Sequence, residues 1–329
     1  MSKVIVTGGA GMIGSHCVDW LINHGHDVLV IDDLSGGVKE NVHPSAELYT
    51  FGITEKSPVD IAFRCLEPDY VIHCAAFASE NLSNFCPSYT ANNICVGTSN
   101  LMAASVKYGV KCFVSLSSIA SYGHQEPPFT EDTPLLPMDA YGAAKQYTES
   151  LCRAMHNQFE LNYVVFRPHN VVGTRQNMAD STRNVVSIFI RQALEGKPLT
   201  IYGDGSQTRA FSPISQVAPI IASSIFNEKC YGQAFNIGGE KIYTVLEIAK
   251  LVSKLVGVEE NFHFLPERRE AKHAHSDHSK IREYFDIPEG ISLEATIKEM
   301  IEEARSKPLR PIQPLPPIEI EQGLPENWR

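Results

Sequence analysis

The chain has 329 residues, 43% of them apolar and 20% charged, with a formal net charge of -10 at pH 7. That length can bury a large core as one large or two closely joined domains, and the acidic balance excludes a phosphate-tracking nucleic-acid binder, which needs a basic face. No apolar run approaches the roughly 20 residues of a membrane span, and the chain passes straight into "KVIVTGGAG" with no leader pattern, so a soluble cytoplasmic protein with no membrane partner is expected.

The first half alternates β-branched runs with helical patterns: "KVIVT", then "GMIGSHCVDWLINHG", then "DVLVID". In the first helix Ile13, Cys17, Trp20 and Leu21 share one face and Gly25 is the stop signal. Further strands are expected at Tyr70 to His73, Val110 to Leu116 and Tyr163 to Arg167, with helices between them. This is the rhythm of βαβ units and predicts an α/β fold, a doubly wound parallel sheet of the Rossmann type.

After Arg167 the rhythm loosens. "GDGSQTRAF" reads as turn-rich, "TVLEIAKLVSKLVG" opens with a capping box of Thr244 and Glu247, "QAFNIGG" reads as a strand, and Ile291 to Ala304 as a helix. The expected division is residues 1–168 plus about 211–237 for the dinucleotide-binding domain and about 169–210 plus 238–305 for a smaller α+β substrate domain. Residues 306–329, with Pro308, Pro311, Pro314, Pro316, Pro317 and Pro325, form an extended tail, packed on the protein's own surface or left mobile, or else a polyproline segment for a partner. The eight cysteines show neither a CxxC pair nor zinc-ligand spacing and read mostly as small buried hydrophobes.

Two constellations carry chemistry. In "VTGGAGMIGS" the glycines Gly8, Gly11 and Gly14 follow the first strand and open the first helix, so the chain can turn sharply and present free N–H groups to a pyrophosphate. Asp32, about 20 residues beyond at the end of "VLVIDD", can accept from a ribose hydroxyl and would repel a 2'-phosphate, which favours NAD over NADP. Further on, "DAYGAAKQYTES" places Tyr141 and Lys145 four apart on one helical face. A phenol titrates near 10; a neighbouring ammonium and a positive nicotinamide ring favour its phenolate.

With "TGGAGMIG", "VIDDLS", "VIHCAA", "NNICVGT", "SSIASYG", "YGAAK", "RPHNVVG", "GDGSQTRAF" and "FNIGG", the chain from Val4 to about Ile301 resembles the extended short-chain dehydrogenase/reductases, in the epimerase/dehydratase branch, and there most the UDP-sugar 4-epimerases. The resemblance implies that Ser118 hydrogen-bonds the reacting sugar hydroxyl, Tyr141 takes its proton, and Lys145 holds the nicotinamide ribose while tuning Tyr141. It places NAD against Gly8, Gly11, Met12, Ile13, Gly14, Asp32, Asp33, Ile53, Cys74, Ala75, Ala76, Asn93, Ser117, Tyr141, Lys145 and Pro168. It places a UDP-sugar against Ser118, Asn170, Asn184, Arg209, Arg268 and Ala274, with Arg268 or Arg269 as a second pyrophosphate arginine. Homodimerisation through the helices near Thr98 to Tyr108 and Ala140 to Asn157 is likewise a family expectation.

Dehydratases of this family carry Asp-Glu directly after the Ser/Thr, and the decarboxylases usually a Glu; Ile119 and Ala120 stand there instead, which leaves oxidation and re-reduction at C4 as the expected chemistry. The family's adenine-binding aspartate is replaced by Gly52, leaving the backbone of Ile53, and Pro213, Ser215 and Gln216 replace an aromatic and two acids. Ala274 falls at the position that gates bulk at C2 of the sugar, so N-acetylated sugars are expected beside UDP-glucose and UDP-galactose. A UDP-uronic acid, paired with Arg183 or Arg191, and a catalytically silent NAD(H) sensor are the alternatives. No metal is expected, since His273, His275 and His278 fit no zinc spacing and read as loop or pocket-rim residues, and His169 reads as a packing residue.

Overall fold

The computed structural model describes residues 1–268, 270–288 and 290–328, with only the backbone of Asn327; Arg269, the alternative to Arg268 for the second pyrophosphate arginine, lies outside the described residues. Strands β1 (Lys3–Thr7), β2 (Asp27–Ile31), β3 (Glu47–Tyr49), β4 (Tyr70–His73), β5 (Cys112–Leu116) and β6 (Asn162–Pro168) alternate with helices α1 (Met12–Asn23), α2 (Lys56–Leu66), α3 (Glu80–Ser83), α4 (Pro87–Ala91), α5 (Gly97–Lys107) and α6 (Ala140–Phe159). The second half adds β7 (Val171–Val172), α7 (Val185–Leu194), β8 (Leu199–Tyr202), β9 (Thr208–Ala210), β10 (Ser212–Pro213), α8 (Ile214–Ser224), β11 (Gln233–Ile237), β12 (Ile242–Thr244), α9 (Val245–Val256), β13 (Phe262–Leu265), β14 (His273–Ala274), α10 (Ser279–Arg282) and α11 (Leu293–Ser306).

Seven parallel strands form one sheet in the order β11-β6-β5-β4-β1-β2-β3. Because strand side chains alternate, Val4 and Val6 pack with α1 and α8 while Ile5 packs on the other face with α2 and α5. Covering both faces is what a parallel sheet requires, and it explains why these strands read as near-continuous apolar runs. The strand order reverses between β1 and β4, which opens a crevice at the carboxyl ends of those two strands. A second core joins α7, α9 and α11 through Phe189, Ile248, Val252 and Ile297, next to the small sheets β12-β9-β14 and β13-β8.

One buried network locks α6 onto the large sheet. Arg167 on β6 donates from Nε and Nη2 to the two oxygens of Glu149 on α6, at 2.9 and 2.7 Å, and from Nη1 to the Tyr122 hydroxyl at 2.7 Å. Tyr122 in turn donates to Asn236 of β11 at 2.7 Å. A paired guanidinium and carboxylate of this kind fixes the register of a long helix, because an unpartnered charge left behind would be strongly destabilising.

The structure moves several expected boundaries. The strand expected from Val110 starts at Cys112, because the Val110 N–H is held by the Ser105 carbonyl and the Lys111 N–H by that of Asp69. The Ile291 helix starts at Leu293, where the Ser292 hydroxyl caps it by accepting from the Ala295 N–H at 3.0 Å. "GDGSQTRAF" is a turn only up to Ser206; Thr208–Ala210 is a strand. The Thr244 and Glu247 capping box is formed as expected.

Candidate active site

The crevice is built first by the glycine loop. A Cβ on Gly14 would sit 2.2 Å from the Gly8 carbonyl oxygen, and one on Gly8, whose φ is +69°, would sit 2.6 Å from the Ala75 backbone nitrogen. The turn after β1 thus lies directly against the Cys74 to Ala76 segment after β4. Gly11 caps α1 in an extended conformation with no side-chain cap and no acid in the first turn. The first turn of α1 therefore presents its N–H groups to an anion, as a pyrophosphate requires.

Asp32 closes the other side of this loop. Its Oδ2 accepts from the Ala10 N–H at 2.9 Å and its Oδ1 from Leu34 at 2.8 Å. Burial pushes its carboxyl above the usual range, against those two backbone bonds. Each oxygen accepts one of these bonds and keeps a lone pair for a ribose hydroxyl. Asp33 is turned instead to the N–H and hydroxyl of Ser35. The residues present therefore fit a dinucleotide with a free 2'-hydroxyl. Where the family's adenine aspartate is replaced, Gly52 donates to Glu55 and the Ile53 carbonyl accepts from Asn100 at 3.1 Å.

The expected trio comes together at the end of β5. Ser118 starts a short 3₁₀ turn, Ile119–Tyr122, and its Oγ accepts from the Ala120 N–H at 3.1 Å. Tyr141 and Lys145 share one face of α6, with the Lys145 Nζ 5.7 Å from the centre of the Tyr141 ring. Asp139 caps the helix from the side, accepting from the Gly142 N–H at 2.8 Å, and the Ser83 hydroxyl receives the Tyr141 N–H at 3.0 Å.

Burial drives the electrostatics here. It pushes the Tyr141 phenol up to about 12, opposed by a hydrogen bond with Ser118 and by the Arg183 charge, and aided by Glu80 and Asp139. It pulls the Lys145 ammonium down to about 8, while its Nζ donates to the Leu116 carbonyl at 2.6 Å. Lys145 is thus anchored to the last residue of β5. Behind the site, His73 bridges Thr7 and Thr98 and is held neutral by burial, with a pKa of about 3.

Other expected site residues have partners of their own within the protein. Ser117, expected at the cofactor, is buried and donates to Glu149, so its hydroxyl belongs to the Arg167 network. Asn184, expected at the substrate, caps α7 by accepting from the Val186 N–H at 3.0 Å and donates to the Val171 carbonyl at 3.0 Å. Asn170, with φ +41°, donates to the Ala210 carbonyl at 3.2 Å, and Asn93 to that of Tyr89 at 3.2 Å. Pro168 ends β6 opposite Ile237. His278 is no rim residue: it is buried, its Nε2 lies 2.9 Å from His169 Nε2, and its Nδ1 lies 3.0 Å from a Glu240 oxygen.

On the substrate side β14 runs parallel to β9, placing Ala274 opposite Arg209. Ala274 is buried among Tyr122, Phe129, Ile119 and Leu135, so it packs against the turn that follows Ser118. The Arg209 Nη2 lies 3.7 Å from Glu270, and its Nη1 donates to the Thr208 and Lys272 carbonyls. The Arg268 guanidinium stacks on the Tyr202 ring at 3.3 Å, and its Nε is buried without a hydrogen-bond partner among the described residues.

Two further ionisable groups enter the site: Glu80, which the sequence did not single out, and Arg183, which it named only as a partner for a uronic acid. Glu80, at the start of α3, is exposed, and the protein around its carboxyl together with the Asp139 charge raises it above the usual carboxylate range. Arg183 donates to the Ala78 carbonyl at 3.3 Å and lies 3.5 Å from Asp180, and its charge reaches Asp32, Tyr141 and Lys145. Arg191, its partner in the uronic-acid alternative, is held by the Met178 and Arg310 carbonyls and by Glu195.

A parallel sheet with a glycine loop at its switch point and a Ser-Tyr-Lys set beside it defines a dinucleotide-binding fold of the NAD-dependent dehydrogenase type. Residues 4–238 match the model of the NAD dependent epimerase/dehydratase family, and the chain belongs to that family, whose enzymes act on nucleotide sugars. It is similar to UDP-glucuronic acid decarboxylase 1 of Danio rerio, 33% identical over 279 residues; the match takes in 82% of this chain but only 64% of that longer protein. It is also similar to the UDP-glucose 4-epimerase of Thermotoga maritima solved with UDP-glucose, at 33% identity and a TM-score of 0.88, covering 92% of this chain and 99% of that one. The UDP-glucose 4-epimerase of Thermus thermophilus, solved in complex with NAD, matches at 28% identity and a TM-score of 0.85 over the same shares. No helix among the described residues is long and apolar enough to cross a membrane.

Proposed function

We propose that the protein is an NAD-dependent UDP-sugar 4-epimerase, interconverting UDP-glucose with UDP-galactose and UDP-GlcNAc with UDP-GalNAc. The observation that carries the reading is the end of β5: Ser118 hydrogen-bonds toward Tyr141, while Ile119 and Ala120, the two positions after it, supply no acid. Dehydration and assisted decarboxylation need such a group, and exchange of configuration at C4 does not.

NAD, when bound, supplies the hydride acceptor and donor at C4 and a positive ring beside Tyr141. Tyr141 removes the proton of the C4 hydroxyl and later returns it to the 4-keto sugar, which has turned its other face. Ser118 holds that oxygen during both transfers. Lys145, fastened to Leu116, orients the ribose end of the cofactor and keeps a positive charge under the phenol. Arg209 and Arg268 take the diphosphate of the substrate, and the small Ala274 leaves room at C2.

The protein works as a homodimer in this reading, through α5 and α6, where Val96, just before α5, and Tyr147 on α6 are exposed and Tyr147 meets Ser99 at 2.8 Å. The test is UDP-galactose deuterated at C4: the label should be found at C4 of UDP-glucose, with none lost to solvent. Loss of the label would contradict return of the same hydride. A UDP-uronic acid is the second reading, favoured by the Arg183 guanidinium at the cleft and by the similarity to the decarboxylase.

A further inference from the structure

The described residues after α11 form no strand and no helix longer than one 3₁₀ turn, Glu326–Trp328, yet they are tied down along their length. Arg310 donates to Asn177 at 2.7 Å, and Gln313 donates to the Ala179 carbonyl at 2.9 Å and to that of Ser35 at 3.1 Å. Further along, the Glu319 carboxylate caps α4, accepting from the Ser88 and Tyr89 N–H groups at 2.9 Å each. Leu315, Ile318, Leu324 and Trp328 then join Leu82 and Cys86 in one apolar cluster. The strap thus starts beside the loop that carries Asp32 and Ser35 and ends on α3 and α4.

At its end it meets the other side of the cleft. The Trp328 indole lies edge-on to Phe85, with ring centres 6.1 Å apart, and the Arg268 guanidinium stands 4.5 Å from the indole while lying on the Tyr202 ring. Arg268 therefore contacts two aromatic rings. No carboxylate among the described residues lies within ion-pair distance of it; Glu270, which pairs with Arg209, acts on it only as a nearby charge, and Tyr202 shares a hydrogen bond with it. Stacking engages the faces of a guanidinium and leaves its in-plane N–H donors, the fork that a phosphate accepts.

We propose that Trp328 is a positioning residue for the diphosphate of the nucleotide-sugar substrate: it holds Arg268 against Tyr202 and so makes the C-terminal strap part of the binding site. The inference rests on the nucleotide-sugar reading above. A cation held in place before binding loses less freedom on meeting its anion, which raises affinity without touching the chemical step.

The test is a double-mutant cycle read by calorimetry with UDP on the full-length, NAD-loaded protein. Trp328→Ala should weaken UDP binding about tenfold, Trp328→Phe should restore it, and Trp328→Leu, which keeps the apolar contact with Leu82 and Cys86, should not. In an Arg268→Ala background Trp328→Ala should change the affinity little, since the effect acts through Arg268. With sugar substrate, KM should rise while kcat holds. An unchanged affinity in Trp328→Ala, or an equal loss in both backgrounds, would overturn the proposal. Failure of the unaltered protein to bind UDP would instead overturn the nucleotide-sugar reading on which it stands.

Discussion

Lys145 Nζ donates to the main-chain carbonyl of Leu116 at 2.6 Å, which joins the catalytic helix to the last residue of the strand that delivers Ser118. The ammonium is therefore fixed in position before any ligand arrives. Lys145→Met should lower kcat by about a hundredfold or more, and it should also loosen NAD, measured as nucleotide released on denaturing the purified protein. Retention of full activity would remove Lys145 from the mechanism.

Tyr141→Phe removes the hydroxyl proposed as the proton acceptor and leaves the ring. Turnover should fall by about 10² to 10⁴, with the NAD content of the purified protein unchanged. A variant that keeps its rate would contradict the assigned base.

The buried pair of Glu149 and Arg167 gives a stability prediction. Glu149→Ala leaves the guanidinium uncompensated and should cost about 3–5 kcal/mol in urea unfolding. The double variant with Arg167→Ala should lose less than the sum of the two single changes, because both remove the same pair.

His73 and His169 are both buried and held near a pKa of 3, well below the ordinary 6.5. The stability that comes from keeping them neutral is present above about pH 6.5 and is lost as pH falls below it, because the unfolded chain takes up those protons first. Each should contribute about 1.4 kcal/mol of lost stability per pH unit in that window. Thermal midpoints at pH 7 and pH 5 check this, and His169→Gln should flatten the dependence.

Much of the site was legible because its logic is local. Gly8, Gly14 and Asp32 are readable from spacing, since a tight turn at a helix start dictates which residues fit, and Tyr141 with Lys145 needs only the period of a helix. The rest depends on partners far along the chain. Whether the Ser117 hydroxyl faces a cofactor or the core is decided by Glu149 on another element, and Asn184 is engaged by the end of its own helix and by Val171. His278 reads as a loop residue until α10 brings it to His169. The prolines of the tail predicted extension but not its destination, which the apolar Leu315, Ile318, Leu324 and Trp328 select. Glu80 carried a weak signal, an acid directly after "CAAFAS", but only the folding of α3 toward Asp139 and Arg209 brings its carboxyl under their charges.

Ala274→Tyr tests the pocket at C2. The ratio of kcat/KM for UDP-GlcNAc to that for UDP-glucose should drop at least about tenfold, since a steric difference against a substrate group in a pocket is worth about 1–3 kcal/mol. Comparing two sugars on one variant cancels any general loss of stability. An unchanged ratio would exclude Ala274 as the gate.

The most direct measurement is an NMR time course of the anomeric signals, following the purified protein with UDP-glucose and, separately, UDP-GlcNAc, without added reductant. The account predicts growth of the galacto epimer to a constant ratio with either sugar and no net consumption of NAD. Protein shown to hold NAD that leaves both sugars unchanged would contradict it.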